Sequence, residues 1–236
     1  MVKNIIISSQ QETTIDYPGK MALIVFCPGC NFRCGFCHNP ELVLEKAGGI
    51  DIDILLKNIS SRAKAGWYQG VCISGGEPTN QNELIDFCKK IKEIGLSIKL
   101  DTNGTNPNIL RELLNKKFID YIAMDIKSSP IRYNYVAGVD VDIKKIEESI
   151  KIAREFPFYE FRTTVLPCFS IKDIEDIGKW ISNDSKNKVK LYTLQQFNPK
   201  NTLDESFMKL IPLSHDELEK FADLMRKYAE EVRVLG

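Results

Sequence analysis

The stretch Gly70-Val71-Cys72-Ile73-Ser74-Gly75-Gly76-Glu77-Pro78 sets an apolar, β-branched run directly against two glycines and a carboxylate. Gly70 to Ser74 reads as a buried strand. The glycines that end it let a backbone come close to a ligand. The same arrangement recurs along the chain. Met21 to Phe26 is a strand leading into a cysteine-rich loop, and Leu96 to Leu100 ends in Asp101-Thr-Asn-Gly104. Ile119 to Ile126 carries Asp125-Ile-Lys127, Glu160 to Leu166 ends in Leu166-Pro-Cys168, and Val189 to Gln195 ends in Gln195-Gln-Phe-Asn198.

Helical patterns separate these strands: Ile52 to Ala63, Asn80 to Ile94 with Thr79 or Asn80 as N-cap, and a helix opened by Pro107 near Asn106. Further helices are expected at Ile143 to Phe156, Ile174 to Ile181 and His215 to Val232, the last capped by Ser214. Six strands alternating with helices predict a parallel sheet with right-handed crossovers. A closed eight-unit barrel typically needs about 250 residues. The expected fold is therefore α/β, a partial (β/α)6 TIM-like barrel with a short strand or hairpin before Met21. Ligand sites of such folds lie at the C-terminal strand ends, so the six polar stretches should converge on one mouth.

The 236 residues, 43% of them hydrophobic, suit one domain. No repeat or linker divides it. Residues 1–20 are expected as an N-terminal extension, 21–198 as the barrel core and 199–236 as a connector and helix. Lys+Arg and Asp+Glu balance at 32 each, so no basic excess points to nucleic acid. The apolar run Ile5-Ile-Ile7 is too short for a signal peptide and no stretch approaches a bilayer span. A soluble cytoplasmic protein is expected.

Seven cysteines are present, four of them in Cys27-Pro-Gly-Cys30-Asn-Phe-Arg-Cys34-Gly-Phe-Cys37. In a reducing compartment such a cluster reads as metal binding or catalysis. A structural zinc site prefers two pairs about a dozen residues apart, and the three residues between these pairs are a tight fit. The other reading takes Cys30, Cys34 and Cys37 as thiolate ligands of an iron–sulfur cluster. Three ligands on a [4Fe–4S] cube leave one iron open for chemistry. Cys27 reads as a small hydrophobe at a strand end, as do Cys72 and Cys88 within the core, while Cys168 lies on the mouth side. His38, one of two histidines, follows Cys37 and can act on a cluster electrostatically. His215 starts the last helix.

Cys30-Asn-Phe-Arg-Cys34-Gly-Phe-Cys37 resembles the signature of the radical S-adenosylmethionine (SAM) enzymes, including the aromatic Phe36 before the last cysteine. With Asp16-Tyr-Pro-Gly-Lys20 and Asn39 the match is similar to the activating enzymes of glycyl radical enzymes. His38-Asn-Pro-Glu-Leu42 and Leu194-Gln-Gln-Phe197 look most like the activating proteins of anaerobic ribonucleoside-triphosphate reductase. The resemblance runs from about Ile15 to about Asn198. It implies Cys30, Cys34 and Cys37 as catalytic cluster ligands and assigns Gly75, Gly76 and Glu77 to SAM, with Glu77 offering its carboxylate to a cation. It makes Asp101, Thr102 and Asp125 candidates for SAM and a nearby monovalent cation, and Asn103 and Lys127 candidates for SAM or substrate. Asn103-Gly104 also reads as a plain turn. Arg162 faces either the barrel interior or the helix layer, and the resemblance favours a SAM contact. Of Gln195 and Gln196 only one can point inward. Alternation does not choose, and Gln196 is carried as the candidate.

The implied chemistry is reductive cleavage of SAM with an electron from an external donor such as flavodoxin or ferredoxin. The radical formed then takes hydrogen from a glycine Cα of a partner, an anaerobic ribonucleotide reductase. Three alternatives remain: another glycyl radical enzyme of the pyruvate formate-lyase type, a small molecule such as a deazapurine precursor, and a non-enzymatic zinc-binding module.

Overall fold

The computed structural model describes residues 9–44, 49–184 and 186–236. Its frame is one eight-stranded sheet ordered as the chain runs. β1 (Ser9–Thr13) is antiparallel to β2 (Ala22–Cys27). Every later pairing is parallel, through β3 (Gly70–Gly75), β4 (Ser97–Thr102), β5 (Tyr121–Asp125), β6 (Phe158–Val165), β7 (Val189–Gln196) and β8 (Ala229–Leu235). Among the described residues no pairing joins β8 back to the first strands, so the barrel is open. The six expected strands are β2 to β7, and β1 is the strand expected before Met21. Residues 1–8, with the short apolar run, lie outside the described residues.

The helices are α1 (Pro40–Val43), α2 (Ile52–Lys64), α3 (Leu84–Ile94), α4 (Pro107–Asn115), α5 (Tyr133–Ala137), α6 (Ile143–Ala153), α7 (Ile171–Ser182) and α8 (His215–Met225). In α3, Leu84, Phe87, Cys88 and Ile91 are buried at helical spacing, and Gly95 ends the helix at φ +92°. α3 begins four residues later than expected. Pro78–Asn80 forms a separate 3-10 turn, and Thr79 serves the carboxylate of Glu77 instead of capping a helix. α8 starts as expected, with Ser214 and Glu217 in a reciprocal capping box.

The last helix does not reach Val232. It ends at Met225, the chain turns, and Glu231-Val232-Arg233-Val234 pairs with β7 as β8. Alternation with period two, not helical spacing, governs these residues. A seventh parallel strand thus widens the expected barrel.

α7 packs against the entry to β8 at Gly178, where a Cβ would stand 2.2 Å from a ring carbon of the buried Tyr228. Gly178→Ala is expected to destabilise the protein by about 1–3 kcal/mol, read as a lower urea midpoint. An unchanged midpoint would mean that Tyr228 moves freely.

Candidate active site

The strand ends meet around a cavity of about 240 Å³. One wall is the loop after β2. Cys27 closes that strand with its side chain in the core, off the cavity. Cys30, Cys34 and Cys37 line the cavity together with Phe36, His38 and Asn39. Burial pushes the Cys30 thiol up to about 11 and the Cys34 thiol up to about 12, so a metal must displace their protons on binding.

Backbone contacts hold this loop to the glycines after β3. Gly76 N–H donates to the Cys27 carbonyl and Glu77 N–H to the Gly29 carbonyl, both at 2.8 Å. A Cβ on Gly76 would lie 1.9 Å from the Gly29 oxygen. Only glycine permits that approach. Gly75 and Gly76 therefore present bare backbone to the cavity.

Glu77 departs from expectation. It is fully buried. Its Oε1 accepts from Thr79 N–H (3.0 Å), Thr79 Oγ1 (2.6 Å) and Thr102 Oγ1 (2.8 Å), and its Oε2 from Asn103 N–H (2.6 Å). Burial pushes the carboxyl above the ordinary glutamate range, and the hydrogen bonds only partly oppose this. The carboxylate is spent on the protein, not offered to a ligand. Thr102 thus lines the cavity while its hydroxyl braces Glu77. Asn103 donates to Asn31 Oδ1 at 2.8 Å and accepts from Thr105, joining β4 to the cysteine loop.

The opposite wall is charged. Arg162 faces the interior, donating through Nε to Asp125 Oδ1 at 2.8 Å and through NH1 to Asp101 Oδ2 at 3.3 Å. Lys127 donates to Asp125 at 3.0 Å, while Lys99 and Ser74 donate to Asp101. Burial alone would push both carboxyls up. Arg162 with Lys99, and Arg162 with Lys127, outweigh it and hold Asp101 and Asp125 below the ordinary aspartate range.

Gln196 is not brought in: its amide donates to the Leu213 carbonyl at 2.7 Å. Gln195 lines the cavity instead. The register Arg162↔Thr193 and Thr164↔Gln195 puts all four on the inner face, so an inward Arg162 would have chosen Gln195 by alternation. Thr164 and Ser74 also line the cavity and were not singled out. Nor was the connector after β7, which clamps the cysteine loop from outside. Leu203 N–H donates to the Cys37 carbonyl (3.0 Å), Asp204 N–H to the Gly35 carbonyl (2.9 Å), and Phe207 packs against Gly35 and Phe36.

Among the described residues no three His, Cys, Asp or Glu side chains converge closely enough for a single metal ion. Three thiols on one wall suit an iron–sulfur cluster, which takes cysteine thiolates, and Cys27, buried in the core, supplies no fourth. The facing wall carries both signs of charge, as SAM does. The donors fit a [4Fe–4S] cluster, which the three thiolates would hold, and SAM, which the charged wall would hold.

The profile of the Radical SAM superfamily matches residues 24–181. The chain belongs to the radical SAM superfamily. A candidate glycyl-radical enzyme activating enzyme of Methanocaldococcus jannaschii is 36% identical over 227 residues, covering 93% of this chain and 91% of the relative. A pyruvate formate-lyase-activating enzyme of Clostridium pasteurianum is 38% identical over 133 residues, 54% of each chain. Among solved structures, TYW1 with a lysine-pyruvate adduct bound shares the fold at TM-score 0.61 and 18% identity, over 88% of this chain and 74% of that one. This radical SAM enzyme has no described helix long and apolar enough to cross a membrane.

Asp125→Asn in the radical SAM enzyme would leave Arg162 and Lys127 short of a buried partner, an expected loss of about 3–5 kcal/mol at neutral pH. With its folded pKa lowered, Asp125 contributes stability above its unfolded value of about 4 and loses it as pH falls further. The gap between wild type and variant in urea unfolding should therefore narrow from pH 7 to pH 3. A gap independent of pH would refute the ionic account.

Proposed function

We propose that this radical SAM enzyme generates a glycyl radical on a partner glycyl radical enzyme, an anaerobic ribonucleoside-triphosphate reductase. The observation that carries the reading is the Methanocaldococcus jannaschii relative, matched over nearly its whole length and named for glycyl-radical enzyme activation. Exposed apolar side chains on the segments after the strands support a protein as substrate. Ile131, Tyr135, Ile171 and Ile211, on segments following β5, β6 and β7, are 92%, 78%, 62% and 84% exposed. Apolar side chains this exposed suit a protein surface better than water.

In this reading Cys30, Cys34 and Cys37 hold the cluster, and Gly75, Gly76, Asp101, Asp125, Lys127 and Arg162 position SAM. Bound together, cluster and SAM supply one-electron cleavage of a sulfonium–carbon bond and a radical that takes hydrogen. The residues orient SAM by charge and exclude water. The electron comes from an external carrier of the flavodoxin or ferredoxin type. No monovalent cation is assigned at Asp101 and Asp125, because Lys99, Arg162 and Lys127 already neutralise them.

Anaerobically reconstituted protein, SAM, a strong reductant and the reductase should give a glycyl radical signal by paramagnetic resonance and 5′-deoxyadenosine, both lost in Cys34→Ala. SAM cleavage without a radical on the reductase would reject this partner, and turnover coupled to a deazapurine precursor alone would establish a small-molecule enzyme. Ile131→Asp with Ile211→Asp should lower reductase activation by about tenfold, equivalent to about 1.4 kcal/mol at a docking surface, while SAM cleavage without the partner stays unchanged.

A further inference from the structure

A second, larger cavity of about 690 Å³ opens at the other end of the barrel, where the strands begin. Its wall includes Ser97, Tyr121 and Phe158, the first residues of β4, β5 and β6. Alternation separates it from the active site: on β5, Tyr121 lines this cavity, Ala123 lies between, and Asp125 lines the mouth. The layer of Lys99, Asp101, Arg162 and Asp125 stands between the two spaces. Gly70 leaves room for the Tyr17 ring, which forms part of the wall.

The walls are aromatic and the rim is cationic. Tyr121 and Phe158 stack within 13° of parallel, and Phe158 is 65% exposed. Lys20 Nζ sits 5.6 Å from the centre of the Tyr17 ring and Lys190 Nζ 5.6 Å from that of Tyr159. The acids of the rim are already paired, Asp120 with Lys92 and Glu231 with Arg233. Lys20, bonded to the Ser97 hydroxyl, and Lys190 have no carboxylate partner among the described residues.

We propose that this cavity binds a nucleoside phosphate, separately from SAM. Flat rings at the opening offer a stacking face to a base. Two uncompensated ammonium groups are suited to phosphate oxygens, and the volume falls within that of small-ligand sites, about 300–1,000 Å³.

The test is calorimetric titration of the reconstituted full chain, saturated with SAM, with AMP, GMP and ATP. Saturable binding of at least one nucleotide is expected, with adenosine alone and inorganic phosphate alone binding much more weakly. Phe158→Ala and Lys190→Ala should each weaken nucleotide binding by about tenfold, the loss of one stacking or phosphate contact. Both side chains are exposed, so melting temperature and SAM affinity should be unchanged. Three results would overturn the proposal: no saturable binding by any of the three nucleotides, binding abolished by SAM, or binding that neither variant weakens.

Discussion

The buried carboxylate of Glu77 is the constraint on which the mouth depends. A buried charge is costly unless hydrogen-bonded, and here donors from Thr79, Thr102 and Asn103 surround it. The requirement works in both directions. The carboxylate needs those donors, and the end of β4 must stay beside the end of β3 to supply them. Gly76 and Glu77 then pass the order on through their N–H groups to the Cys27 and Gly29 carbonyls. Three strand ends and the root of the cysteine loop are thus tied by one continuous set of hydrogen bonds. An uncharged side chain of similar size would leave some of those donors unanswered.

A second set of contacts fixes the next strands. Arg162 of β6 reaches both Asp101 of β4 and Asp125 of β5. Its guanidinium suits this role because several donors project from one plane. Lys99 and Lys127 complete a group of three cations and two anions, and the buried Glu160 acts on Arg162 as well. Such a layer in the middle of a barrel costs desolvation that a hydrocarbon layer would not. What it provides is a polar floor with both signs of charge, able to orient a zwitterionic ligand, and a partition between the two ends of the barrel.

Much of this was legible in the sequence because strand ends rich in glycine, cysteine and aspartate mark a shared mouth. β2 to β7 follow from alternating apolar runs, and most of the candidate residues line one cavity. The places where structure and expectation part have distinct physical causes. Glu77 was assigned to SAM through the resemblance, but which donors reach its carboxylate depends on Thr102 and Asn103, about 25 residues away on another strand. Gln195 and Gln196 could be told apart only through the register with Thr164. β8 was absorbed into α8 because Val232 and Val234 extend an apolar pattern, and only pairing with β7 selects the two-residue period. The role of Phe207 was invisible, since its contact with Gly35 spans most of the chain.

That last contact explains how a loop with little secondary structure can hold three thiols in order. Gly35 lies between two of the cysteines, and a Cβ there would meet the Phe207 ring at 2.6 Å. Phe207 packs in turn on Phe197, the residue after the two glutamines. The Gln-Gln-Phe element therefore serves two surfaces, Gln195 towards the cavity and Phe197 towards the connector. With the β3 glycines on one side and Leu203, Asp204 and Phe207 on the other, the loop is anchored at both flanks while its thiols face the cavity. Order imposed from outside means that cluster binding need not fold the loop by itself, so less binding free energy goes into ordering backbone. The connector after β7 is part of the cysteine loop's support.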